Sequence, residues 1–390
     1  MNNILNEPLR LLIAEDMEEV AERLKLSITR KLGAVEIRIE KLDDALSIVR
    51  DRSFAYDVVV LDIFQGNPTD NDRQGEKTWK EFQDQERKLV PIIIYTAGGC
   101  ELEPEIPKGN PLIKCFKKQS GSDEQVAEYL RSIVNYIQAL RHVEFEFNRA
   151  IHNVIKNVSP LIWQAETDNQ LRQELLVRSA RRRLAAMMDM KTLSTGEPLL
   201  SWEQYIYPAI DDSLLTGDIL RMKDGKFDDP AAYRLVLTPS CDLAMRNGKC
   251  KVKSVLVAKC KSKDEYRRVV ASQMNVKLKD LDKIPDWEKI LKSRVTEPQL
   301  GGYILLPGYK SILPSMTAYL RDLELIPITE ISLSDKIEIG FSRITSIDSP
   351  FREQITWAYL QIAGRPGVPD RDMEKWTQEI LDKSASSAKV

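Results

Sequence analysis

"DVVVLDIF", residues 57–64, carries four apolar residues from one aspartate straight into another. An ionised carboxylate at the end of a buried strand is costly unless something there uses its charge. "RLLIAED", residues 10–16, repeats the pattern and ends on two acids. "VPIIIYTA" (90–97) and "NPLIKCFKK" (110–118) are apolar runs that end on a threonine and on two lysines. With "AVEIRIE" (34–40) they make five strands. Between them lie helical patterns: Val20, Leu24, Leu26 and Ile28 in one, Leu42, Ala45, Leu46 and Val49 in the next. Continuous Val/Ile/Leu runs imply a parallel sheet covered on both faces. Strand–helix alternation implies a doubly wound α/β domain, whose site lies beyond the carboxyl ends of the strands.

That rule brings together Glu15, Asp16, Asp62, Thr96 and the lysines 117 and 118, at the ends of the first, third, fourth and fifth strands. Three carboxylates there repel one another and call for a cation. Oxygen ligands without His or Cys suit a hard ion, and Mg²⁺ takes one or two carboxylates plus a phosphate. Carboxylate, metal, hydroxyl and ammonium together describe phosphoryl transfer to an aspartate.

These residues make 8–140 resemble the receiver domain of bacterial two-component response regulators. The resemblance implies a flavodoxin-like fold and Asp62 as phospho-acceptor from a partner histidine kinase. It implies Mg²⁺ held by Glu15, Asp16, Asp62 and the backbone carbonyl of Phe64. Thr96 and Lys118 would meet the phosphoryl group, with Lys117 as the alternative lysine. Apart from this self-phosphorylation and its reversal, no enzymatic activity is implied. Four features depart from the family pattern: Gln119 replaces the proline after the lysine, and Cys115 stands at the aromatic switch position. The loop after Asp62 is long, and "GGCELEPEIPKGN" (98–110) lacks a clear fourth helix.

The remaining sequence divides into a helical connector and an α+β domain. The organisation expected is 1–122 receiver core, 123–195 connector, and 196–390 a domain with a small β-sheet or barrel. Val126, Leu130, Ile133, Ile137, Leu140, Phe147, Ile151 and Ile155 keep helical spacing up to Ser159-Pro160, and a second helix follows from Leu161 to Met190. The stripe over 126–158 serves either internal packing or a homodimer seam. "YRLVLTPS", "KVKSVLVAKC", "GGYILLPG" and "DKIEIGFSRI" read as strands. Ser349-Pro350 reads as cap and first turn of a late helix that Gly364 ends.

Cys241, Cys250 and Cys260 lack any CxxC pair, and the buried-thiol reading outweighs a zinc site. Cys241 with Asp242 is a nucleophile candidate without a nearby base. Residues 249–292 hold 11 Lys and 2 Arg against 6 acids, which admits a nucleic-acid reading. No nucleic-acid motif accompanies it, and the whole-chain charge of −2 does not favour it. His142 and His152 read as helix residues without chemistry. No apolar run suits a membrane span, and five cysteines with no secretory signal suggest a cytoplasmic chain with reduced thiols. The receiver with "LTPSCDL" and "SPFREQ" is similar to regulators of Detocs-type two-component systems of phage defence, which implies an output or a phosphate sink.

Overall fold

The computed structural model describes residues 8–51, 55–64, 73–83, 90–98, 110–194, 198–210, 212–245, 250–295, 297–333, 339–364 and 372–381. The chain divides into two compact units, Met1–Gly196 and Glu197–Val390. The helices read as a connector fall in the first.

Five strands form the first unit's sheet: β1 (Leu9–Ala14), β2 (Val35–Glu40), β3 (Val58–Leu61), β4 (Ile92–Thr96) and β5 (Ile113–Lys117). All pairings are parallel, in the order β2-β1-β3-β4-β5. This is the doubly wound, flavodoxin-like arrangement. The pleat explains why the central strands are apolar throughout. Val58, Val60, Ile93 and Tyr95 face α1 (Glu18–Leu32) and α4 (Ser122–Ala165). Val59, Leu61, Ile92 and Ile94 face α2 (Leu42–Arg50) and α3 (Gln74–Phe82). Each face has its own core, so neither half of the alternation reaches water. One helical expectation fails in detail. Leu26 is 70% exposed, and Ala21 takes the buried place.

The helix expected to break at Ser159-Pro160 does not. α4 runs on through Pro160 to Ala165, and α5 (Asn169–Ser194) begins only after Glu166–Asp168. Proline removes one N–H from the ladder. Pro160 sits on the exposed side, where water can satisfy the carbonyl left without a partner. Of the stripe over 126–158, Val126, Leu130, Ile133 and Ile137 are buried in the unit's own core. Leu140, Phe147, Ile151 and Ile155 emerge into solvent, so internal packing accounts for the first part of the stripe. The long loop after Asp62 and the segment of the missing fourth helix lie outside the described residues.

The second unit is built on an eight-stranded sheet. Its main path is β10 (Tyr303–Leu306), β11 (Met316–Pro327), β9 (Ser254–Ser262), β8 (Tyr233–Val236), β7 (Asp218–Met222), β13 (Phe341–Ile347) and β12 (Ile331–Ser332), with β6 (Tyr205–Ile206) on β13. All pairs are antiparallel except β12 with β13. The path has two ends, so the sheet is open and the barrel alternative is set aside. Ile219, Leu235, Ala258 and Ala318 face one core with α9 (Phe351–Ala363), while Leu220, Val236 and Val257 face the other. Ser349 does not cap α9: Pro350 holds the cap position without a side-chain bond. Gly364 ends it as expected, its N–H donating to Leu360 at 2.9 Å. Among the described residues no helix is long and apolar enough to cross a membrane.

Candidate phosphoryl-acceptor site

Asp62 follows β3 directly, and the parallel register sets its neighbours. Its N–H donates to the Ala14 carbonyl at 2.9 Å, which fixes the end of β3 beside Glu15 and Asp16 at the end of β1. The Lys118 N–H donates to the Thr96 carbonyl at 2.8 Å, tying the end of β5 to that of β4. Four strand ends thus bring the expected residues to one rim.

The side chains meet there. Lys118 Nζ lies 2.5 Å from Asp62 Oδ2 and 2.6 Å from Glu15 Oε2. All three side chains are largely withdrawn from solvent. Asp62 Oδ1 accepts the N–H of Ile63 at 2.7 Å and, more weakly, that of Phe64 at 3.4 Å. Glu15 Oε1 accepts from Met17 N at 3.1 Å, and Asp16 Oδ1 from Leu42 N at 3.1 Å. Two buried oxygens at this rim have no hydrogen-bond partner, Asp16 Oδ2 and Thr96 Oγ1. Such orphans are uncommon and mark a place where a further group is expected. Lys117 is exposed, and Lys118 is the lysine that meets Asp62. Among the described residues, no three of His, Cys, Asp or Glu gather into a group able to hold a metal ion. Here the Lys118 ammonium, bonded to both Glu15 and Asp62, meets part of the negative charge.

Close backbone approach completes the floor. A Cβ on Gly75, at the start of α3, would fall 1.9 Å from the Asp62 carbonyl oxygen. One on Gly98 would fall 2.2 Å from the Phe64 ring. Gly75 is needed for this backbone contact rather than for turn geometry, while at Gly98 the Phe64 ring would have to shift. Neither was singled out in the sequence, where they read as ordinary loop glycines.

Burial pushes the Glu15 carboxyl above its ordinary 4.5; Lys118 pulls it down, and Asp62 adds to the rise. The folded state therefore holds this proton more tightly than the unfolded chain does. The stability it contributes is complete below pH 4.5 and is lost as pH rises through the folded value. Glu15→Gln is accordingly expected to raise the urea midpoint at neutral pH, with the gain fading as pH falls towards 4.5. A midpoint difference that stays constant across that range would contradict this origin.

The first aspartate of the opening stretch does different work. Asp57 accepts from Arg141 Nε at 2.8 Å and from Arg141 Nη2, and its Oδ2 also takes the Arg10 N–H at 2.8 Å. Arg141 Nη2 also donates to the Pro8 carbonyl at 2.8 Å. The two side chains are 9% and 1% exposed. A buried two-point clamp therefore fastens α4 at the opposite end of the sheet from Asp62.

The second unit's candidates separate. Cys260 is buried in the core, with its thiol pushed up to about 12 by burial. Cys241 is exposed, and the half-buried Cys250 donates to the Asp242 carbonyl at 2.9 Å. The three form no metal-binding group. Asp242 is engaged by Lys251 at 3.1 Å, with no histidine among the recorded partners of Cys241. Cys115 of the first unit is disulfide-bonded, a departure from the expected reduced thiols. "LTPSCDL" and "SPFREQ" do converge: Thr216 bonds Ser240 and Thr238, while the Arg352 side chain packs against Gly217. In the same region Asp218 is buried with Arg343 and Ser346.

No family model matches this chain, and no curated protein does. Among solved structures, a sensor protein from Polaromonas sp. JS666 is similar over 33% of this chain and 98% of its own, at 20% identity and a TM-score of 0.26. The phosphorylated cyanobacterial phytochrome response regulator RcpA is similar over 32% and 91%, at 15% identity and 0.25. A fusion carrying residues 181–211 of the yeast Spc42 trimeric coiled coil covers 47% and 98%, at 16% identity and 0.26. At these values no function passes from them to this chain.

Proposed function

We propose that the first unit is a receiver that accepts a phosphoryl group on Asp62 from the phosphohistidine of a partner kinase, with Mg²⁺ bound. The observation that carries this is the convergence of Asp62, Glu15 and Lys118 at a rim with two orphaned oxygens, Asp16 Oδ2 and Thr96 Oγ1.

As they stand, Lys118 lies between Glu15 and Asp62, and among the described residues the three carboxylates do not gather into a metal-binding group. The chemistry of the donors is what supports a metal. All are oxygen, and three carboxylates against one ammonium leave negative charge uncompensated. Asp16, Glu15, Asp62 and the Phe64 carbonyl would hold it. Bound there, Mg²⁺ would supply Lewis-acid stabilisation of the charge on the transferring group.

The chain's own groups divide the rest of the work. Main-chain N–H groups hold Asp62 Oδ1, which fixes the carboxylate plane and leaves Oδ2 as the nucleophile. Attack by Oδ2 forms the O–P bond as the P–N bond breaks, and the electron pair stays on the departing imidazole. Lys118 exchanges its contact with Oδ2 for the incoming phosphoryl oxygens, where an ammonium stabilises the developing charge. Thr96, buried and without a partner, gives its hydroxyl to the same oxygens. Under this reading the second unit is an interaction module, and the chain is a signalling output or a phosphate sink in a defence setting.

The test is phosphoryl uptake from phosphoramidate, followed by intact-protein mass. Uptake is expected with Mg²⁺ and falls to background after chelation with EDTA. Equal uptake with and without the chelator would remove the metal from the proposal.

A further inference from the structure

The resemblance assigns read-out to an aromatic at position 115, and this chain has a cysteine there. Cys115 packs with the cluster on the α2/α3 face, away from α4. A different aromatic is in position to do the work. Tyr95 is the residue before Thr96, is 1% exposed, and packs among Val126, Ala127 and Leu130 of α4.

Its hydroxyl lies 2.9 Å from Ser122 Oγ, the first residue of α4. Ser122 Oγ donates its one hydrogen to the Gln119 carbonyl at 2.7 Å and accepts the Gln119 N–H at 3.0 Å. A serine hydroxyl has a single hydrogen, so Tyr95 is the donor in the first bond. The Lys118 ammonium stands 5.8 Å from the centre of the Tyr95 ring. Three consecutive links therefore join the acceptor to the long helix, Asp62 to Lys118, Lys118 through the chain to Gln119, and Gln119 to Ser122, and a fourth runs from Ser122 back to Tyr95 on β4.

We infer that Tyr95 and Ser122 are positioning residues that carry the state of Asp62 to the first turn of α4. This deepens the phosphoacceptor reading and rests on it. When Lys118 leaves Asp62 Oδ2 for a phosphoryl group, the 118–119 segment moves with it. Ser122 is bonded to Gln119 on one side and to Tyr95 on the other. It either draws the start of the helix along or gives up the Tyr95 bond. A buried hydroxyl without a partner is penalised, so the junction has two discrete arrangements rather than a continuum.

The test uses the full chain and beryllofluoride with Mg²⁺ as the phosphoryl mimic. ¹⁹F NMR reports loading, and amide exchange over residues 122–130 reports the helix start. On loading, the natural chain should change exchange there about fivefold, the size set by one neutral hydrogen bond. Tyr95→Phe keeps the ring, and Ser122→Ala removes the acceptor from the other side. Both should load as the natural chain does, with the exchange response lost. Because the readout is the response to loading, a merely structural role would leave it in place. A natural-chain response in both variants, or in whichever one folds, overturns the inference. So does a natural chain that loads without any change over 122–130. Absence of a bound ¹⁹F signal in the natural chain instead sinks the phosphoacceptor reading beneath it.

Discussion

The Asp62→Asn chain, given phosphoramidate and Mg²⁺, gains no phosphoryl group, while the natural chain does. The amide oxygen carries no charge and is a poor nucleophile towards phosphorus. No other carboxylate at the rim combines two main-chain donors on one oxygen with the Lys118 contact on the other. The loss should therefore reach background rather than leave a weaker acceptor in place. Folding should survive, since removing one of three crowded carboxylates relieves repulsion around Lys118. Amide exchange of β3 and β4 would confirm that the sheet is intact. Labelling of the variant at the natural rate would dismiss Asp62 as the acceptor.

The second large effect lies at the other end of the same strand. Arg141→Ala should destabilise the first unit by about 3–5 kcal/mol, the cost of stripping one partner from a buried ion pair. Asp57 would then keep only the Arg10 N–H among the donors described above. Arg141→Lys should recover part of the loss, because an ammonium restores the charge without the two-pronged fork. The two units need not unfold together, so a single melting midpoint would mix them. Exchange protection in β1 and β3 reads the first unit separately. Unchanged protection there in the Ala variant would show that the clamp is an ornament of the surface.

These two residues show what the sequence made legible and what it hid. Asp62, Glu15, Asp16, Thr96 and Lys118 were readable because each ends an apolar run, and parallel sheets collect strand ends at one rim. Asp57 stood in the same stretch and was given no role. Its partner lies 84 positions away on a helix, and no local pattern encodes that distance. Tyr95 and Ser122 were hidden for a similar reason: their bond links a strand to the start of a helix 27 positions on.

In the second unit β11 was missed altogether. Its register shifts between Tyr319 and Leu323, and such a bulge resets the alternation that would have announced a twelve-residue strand. Pro160 misled in the opposite direction, because a proline on a helix's wet side interrupts a hydrogen bond without ending the helix. The glycines at 75 and 98 became meaningful only once Asp62 and Phe64 were seen to fill the space beside them.

The forty-four residues from Ser122 to Ala165 form one uninterrupted helix, about 66 Å from end to end. Anything that tilts its beginning is magnified in proportion to that span. One degree of swing about the Arg141 clamp would sweep Ala165, about 36 Å further along, through about 0.6 Å, so a small rearrangement near Asp62 is carried to a place where another molecule can meet it. The stretch of α4 beyond the Arg141 clamp, with α5 packed along it, is then a pointer whose pivot is set by a buried arginine.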